Sequence, residues 1–215
     1  MTIKIVRNLF LILGLCLAIY FLDFLSNAGA NDFDLELSTQ NFERIIFVPG
    51  IMTPKLHLRW WKQDLAENFP EKEIIFLDDQ IYFYWQDKKI EMIVAKGVEI
   101  LNDGVATFII AHSFGGILAE TMIDRALNGQ VVELITMASP HQLEAFGVQD
   151  AKDFLSVPQE NSAPVFSFGG LVDAFVLFPY SDAGGFNHLN LWSGHNGFLL
   201  DKNIRREILE NVFGL

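Results

Sequence analysis

TFIIAHSFGGILAETMIDRAL, residues Thr107 to Leu127, decides how the rest of the chain is read. Its opening TFIIA is an apolar run with Thr, Phe and two Ile, the make-up of a strand buried on both faces of a parallel sheet. Further on, Ile117, Leu118, Met122, Ile123 and Leu127 recur at helical spacing and predict a helix with one buried stripe. His112 to Gly116 leave only a very tight turn between strand and helix, and that turn points Ser113 outward. Bulk two positions either side of a serine on so sharp a turn would collide with the neighbouring strand and helix, and those positions hold Ala111 and Gly115. The helix that starts here aims its free N–H groups and positive dipole end at the serine oxygen, where negative charge develops during acyl transfer. This is a seat for a nucleophile.

AHSFGG resembles the nucleophile elbow of the α/β-hydrolases, with Ala in place of the first Gly of G-x-S-x-G. The resemblance extends along nearly all of the chain after residue 30. RIIFVPGIMTP carries a short apolar strand, Ile45 to Val48, broken by Pro49-Gly50. VPGIM resembles the loop that supplies one of the two backbone donors of the oxyanion hole, which makes that donor the amide of Ile51 or of Met52. VVELITMASPH is another strand, and its end is similar to the SPH of lipase-type members. In the superfamily the acid sits just past the next strand, here APVFSFGG. The stretch running through Asp173, Val176, Pro179 and Ser181 is similar to the D-x-V-P-x-S of lipases, with Leu177 and Phe178 intervening before the proline. The family's histidine lies between the last strand and the last helix, where GHNG places His195. The order Ser113, Asp173, His195 is thus the α/β-hydrolase order of nucleophile, acid and base. His141 precedes any plausible acid and is a decoy, Asp182 is the reserve acid, and His188 falls before or in the strand.

The implied fold class is α/β: a mostly parallel sheet flanked by helices, with little or no cap, since residues 142–163 leave little room for one. Around the motifs, Thr53-Pro54 reads as a helix start with Thr as N-cap, and Leu58, Trp61, Leu65 and Phe69 keep helical spacing up to Pro70. EIIFLDD is a strand, and Asp87 opens a helix carrying Ile90, Ile93, Val94, Val98 and Leu101 inward. Asp201 caps a last helix with Ile204, Ile208 and Val212 on one face. The aromatic run Ile81 to Trp85 has no place in this scheme.

Composition narrows the function. With 215 residues, 51% of them hydrophobic, the chain fills a single domain of ordinary size. A net charge of -12 argues against nucleic acid as a partner, because phosphate binding needs clustered Lys and Arg. Lys4 and Arg7, the apolar run Leu9 to Leu22 and the triplet Ala28-Gly29-Ala30 predict a signal peptide over residues 1–30, cleaved after Ala30, with residues 31–215 as the hydrolase domain. An uncleaved N-terminal membrane anchor is the alternative, because Tyr20 to Leu25 lengthens the apolar run. Exported localisation follows from the first reading. The only cysteine, Cys16, lies inside the leader.

The resemblance implies a reaction. His195 takes the proton of Ser113 as the serine oxygen attacks an acyl carbonyl, Asp173 orients the ring, and the amides of Phe114 and of Ile51 or Met52 hold the oxyanion. Trp60, on the rim, and His112, beside the serine, are the candidate substrate contacts. No metal or cofactor is required. The expected substrate is a small-molecule or lipid ester, with a membrane surface as a compatible contact. Thioester hydrolysis and acyl transfer remain open within the class, and outside it a non-catalytic envelope protein that uses the same cleft for binding.

Overall fold

Six short apolar runs pair side by side as one parallel sheet. They are β1 (Arg44–Val48), β2 (Glu73–Phe76), β3 (Thr107–His112), β4 (Val131–Met137), β5 (Val165–Gly170) and β6 (His188–Leu191), in the order β2-β1-β3-β4-β5-β6. Every pairing is parallel. The computed structural model describes residues 41–78, 87–140, 164–170, 173, 176, 188–191 and 193–215. The predicted leader, the Ile81–Trp85 run, His141, residues 142–163, expected to leave little room for a cap, and Asp182 lie outside the described residues. Among those that are described, no helix is long and apolar enough to cross a membrane.

The helices are α1 (Lys55–Asn68), α2 (Asp87–Leu101), α3 (Phe114–Arg125), α4 (Gly197–Leu200) and α5 (Lys202–Phe213). Strand alternation sends neighbouring side chains to opposite faces of the sheet, so both faces need a cover. Ile46, Val48, Ile109 and Ala111 pack on one face with Ile90, Ile93 and Val94 of α2 and Leu118, Ala119 and Met122 of α3. On the other, Phe47 meets Trp61 of α1 with ring centroids 5.5 Å apart, and Phe108 meets Phe213 of α5 at 4.9 Å. Phe42 and Phe69 join that aromatic group. Trp61 is fully buried, and truncation of such a side chain typically costs about 3–5 kcal/mol.

Two local expectations need correction. The first helix begins at Lys55, with Pro54 extended (φ -66, ψ 141) at the N-cap and no side-chain cap. Proline fixes φ but leaves ψ free, so its ring does not by itself start a helix. The elbow helix stops at Arg125, and Leu127, expected on its buried stripe, is 89% exposed. The Asn102 side chain accepts the N–H groups of Leu127 (2.8 Å) and Asn128 (3.2 Å), which turns the chain off the helix axis before Leu127 reaches the core.

The order of the strands also determines where a site is built. The chain leaves β1 through α1 towards β2 at one edge, whereas it leaves β3 through α3 towards β4 on the other side. Loops diverging from two adjacent strands open a crevice at their carboxyl ends, as in open parallel sheets generally. Val48 and Ala111 are register partners, so these two ends stand level.

Candidate active site

Ser113 occupies the step between β3 and α3 with φ 55 and ψ -131, a conformation that costs a non-glycine residue on the order of 1–3 kcal/mol. Among the described residues only Met52 (φ 55) and Ala138 (φ 50) share the positive φ without being glycine. Those two follow β1 and β4, the neighbours of β3, so the strain is concentrated at three adjacent strand ends around the crevice. The Ser113 N–H still bonds the Met137 carbonyl at 2.8 Å, which ties the elbow to the sheet.

Close approach explains the small residues. A Cβ on Gly50 would lie 2.7 Å from the Ser113 Cβ and 2.9 Å from the His112 carbonyl, so the loop after β1 runs directly against the serine. A Cβ on Gly115 would strike the Val48 carbonyl and come within 2.9 Å of the Pro49 carbonyl. Both obstacles are main chain, which cannot swing aside. Gly115→Ala is therefore expected to destabilise the fold by about 1–3 kcal/mol, read as a lower urea midpoint at unchanged slope.

Three side chains from distant parts of the sequence meet here. The Ser113 Oγ–H donates to His195 Nε2 at 2.9 Å, and His195 Nδ1–H donates to Asp173 Oδ2 at 2.8 Å. The second carboxylate oxygen accepts the Val176 N–H at 2.9 Å. The Asp173 carboxylate is completely buried, whereas the His195 side chain remains 14% exposed. His195 sits in a turn closed by Gly197 N–H to the Gly194 carbonyl at 2.8 Å. The short helix α4 behind it is held twice. Trp61 Nε1–H donates to the Phe198 carbonyl at 2.9 Å, and Arg205 donates to the Leu199 carbonyl at 3.1 Å while pairing with Asp64 at 2.6 Å.

His112, expected as a substrate contact, takes a different position. It is 1% exposed, and its Nε2–H donates to the His195 carbonyl at 2.9 Å, so it lies beneath the site and not in it. The residue before a nucleophile is the last of its strand, and here the pleat turns its ring inward. Trp60 is half-buried on α1, its ring covered by the Arg59 guanidinium at 4.0 Å. Ile51 and Phe114 are half-buried and Met52 is 64% exposed, all of them at the strand ends that border Ser113. Of His188 only the backbone is described, as the first residue of β6. Among the described residues no three His, Cys, Asp or Glu side chains cluster as metal ligands.

Burial, and secondarily the charge of the nearby His195, push His112 down to about 3, opposed by its hydrogen bond to the His195 backbone and then by Asp173, with His57 acting weakly in the lowering direction. The folded chain therefore refuses a proton that the unfolded chain accepts below about pH 6.5. Stability is full above that value and declines as the pH falls from about 6.5 towards 3, by at most about 1.4 kcal/mol per pH unit. Urea midpoints between pH 7 and 4.5 are expected to fall less steeply in His112→Gln than in the wild type.

A parallel sheet clad on both faces, with a serine on a strained strand-to-helix turn, defines an α/β-hydrolase fold. The chain belongs to the PGAP1-like alpha/beta domain family, whose model matches residues 45–157, more than half of its length. The matched stretch holds the VPGIM loop and the elbow and ends before Asp173 and His195. Similar solved structures include the ydeN gene product from B. subtilis, at 13% identity and TM-score 0.61 over 80% of this chain and 100% of that one. A YdeN-like hydrolase from Pectobacterium atrosepticum matches at 17% identity and TM-score 0.54, over 80% of this chain and 90% of that one. Carboxyl esterase 2 from Tuber melanosporum matches at 12% identity and TM-score 0.51, over 84% of this chain and 78% of that one. At these identities the likeness speaks for the fold alone. No curated protein matches the chain.

Proposed function

We propose that the chain is a serine hydrolase of carboxylic esters, working through an acyl-enzyme on Ser113. The observation that carries this reading is the unbroken hydrogen-bond run from the Ser113 hydroxyl through the His195 ring to the Asp173 carboxylate. An alcohol attacks poorly at neutral pH without a positioned base, and the His195 tautomer set by Asp173 leaves Nε2 free to take the proton. The proton then passes to the leaving alkoxide oxygen, the acyl group stays on Oγ, and water reverses the sequence to release the acid. Phe114 opens α3, so its N–H has no acceptor within the helix and is available to an oxyanion. The second donor is the amide of Ile51 or Met52, on the loop that Gly50 brings against the serine. One such donor is worth roughly 3 kcal/mol in a comparable hole. The carboxyl esterase among the structural neighbours accords with an ester substrate.

Reading residues 1–30 as a cleaved signal peptide carries the proposal that this activity is exported. N-terminal sequencing of the exported protein tests that, with Asn31 as the expected first residue.

A fluorophosphonate probe phosphonylates an activated serine, its Oγ displacing fluoride from phosphorus, whatever the natural substrate. Purified wild type is expected to label to one equivalent and Ser113→Ala not at all. Folded protein that resists the probe would instead make this a binding module that retains the cleft without the chemistry.

A further inference from the structure

We infer that His112 is a positioning residue for His195, holding the main chain of the base-bearing turn to the strand that presents the nucleophile. This rests on the hydrolase reading above and adds a supporting residue beneath that site.

The base arrives on a turn between β6 and α4, and turns are the parts of a fold most free to drift. Its ring is gripped by Ser113 and Asp173, but both bonds end on the ring and leave the backbone of residue 195 to be located by something else. His112 Nε2–H reaches that backbone at 2.9 Å. Because His112 and Ser113 are consecutive, one dipeptide at the end of β3 touches His195 at both ends, the hydroxyl at the imidazole and the ring at the carbonyl. The positive φ at Ser113 permits this, since ordinary strand alternation would send the two side chains to opposite faces.

The chemistry of the pair agrees with such a role. The carbonyl can only accept, so the His112 proton stays on Nε2, and Nδ1 is a buried nitrogen with no hydrogen-bond partner among the described residues. Burial keeps the ring neutral at ordinary pH. That matters because the two rings lie 4.9 Å apart, and His195 gains a positive charge when it takes the serine proton. A positively charged tether at that distance would oppose it, whereas a neutral imidazole donates to the carbonyl without opposing the charge.

The experiment compares His112→Leu, which removes the donor, with His112→Gln, whose amide N–H reaches about as far as imidazole Nε2. End-point labelling with fluorophosphonate counts competent sites, so turnover is expressed per folded site. His112→Leu is expected to lower kcat about 10- to 100-fold with KM within about twofold, because a misplaced base slows the chemical step and not binding. His112→Gln is expected to recover most of that loss. A kcat per site that stays within about twofold in His112→Leu, or a Gln variant no better than Leu, overturns the assignment.

A second readout does not depend on turnover. The His195 Nδ1–H shared with Asp173 is expected to give a far-downfield proton resonance, to be identified by its loss in His195→Gln. It is expected sharp in wild type and His112→Gln and broadened or absent in His112→Leu. An unchanged resonance in His112→Leu also overturns the inference. Failure of the wild type to label while that resonance is intact counts against the hydrolase reading and leaves the positioning role standing on the spectra.

Discussion

Ser113→Ala is expected to lower ester turnover by about 10⁴- to 10⁶-fold while leaving the fold in place, the range over which loss of a serine nucleophile has been felt in other serine hydrolases. The expectation follows from the division of labour in the site. Without Oγ no acyl-enzyme forms, and His195 and Asp173 are left orienting a base with nothing to activate. What remains comes from the amide donors and from substrate binding, so the residual rate is expected to stay above that of water alone. His195→Ala is expected to cost a similar factor, and the double variant no more than the worse single one, because the two residues act as a unit. Multiplying losses would mean that serine and histidine work independently. Initial rates on an acyl ester series, corrected for folded protein, decide between these outcomes.

Asp173→Asn is expected to reduce kcat by about 10⁴-fold with little change in the shape of the site, through the proton it misplaces and not through lost charge alone. Asp173 Oδ1 accepts the Val176 N–H and Oδ2 accepts His195 Nδ1–H. An asparagine has one carbonyl oxygen for these two donors. If the buried backbone N–H keeps that oxygen, the amide NH₂ faces His195 and donates to Nδ1. The imidazole must then carry its own proton on Nε2, towards Ser113, where it cannot accept one. The check is kcat together with the far-downfield proton resonance, which is expected to vanish in this variant. Retention of more than about a hundredth of wild-type kcat would detach Asp173 from the chemistry.

Much of this arrangement is legible along the chain because it is local. A buried strand, a turn with no room for side chains and an amphipathic helix must follow one another at Thr107 to Arg125, and the six strands match their apolar runs to within a few residues. The last helix begins where Asp201 was expected to cap it, its carboxylate accepting the Asn203 N–H. Periodicity extends a helix as long as apolar residues recur and so carries it to Leu127, whereas the Asn102 side chain, from the turn after α2, binds the backbone there and ends it earlier.

Residues that act across the fold leave no such trace. Arg44 is 6% exposed and bonds Glu73, Asp103 and the Ile100 carbonyl, partners from two other stretches, and nothing in RIIFV marks it as the centre of that network. His112 gives a similar lesson closer to the site. In sequence it stands next to the serine and reads as a neighbour of the substrate, and only the packing of β3 beneath the His195 turn reveals what its ring touches.

Sequence alone determined the strand-elbow-helix unit, the α/β class and the order of Ser113, Asp173 and His195, because these rest on local sterics and on motifs that span a few residues. Tertiary structure decided that the three side chains stand within hydrogen-bond reach, that Gly50 brings the β1 loop against the serine, and that His112 faces inward to the base-bearing turn. Those distances arise where separate strands end side by side, and spacing along a chain carries no information about separation across a sheet.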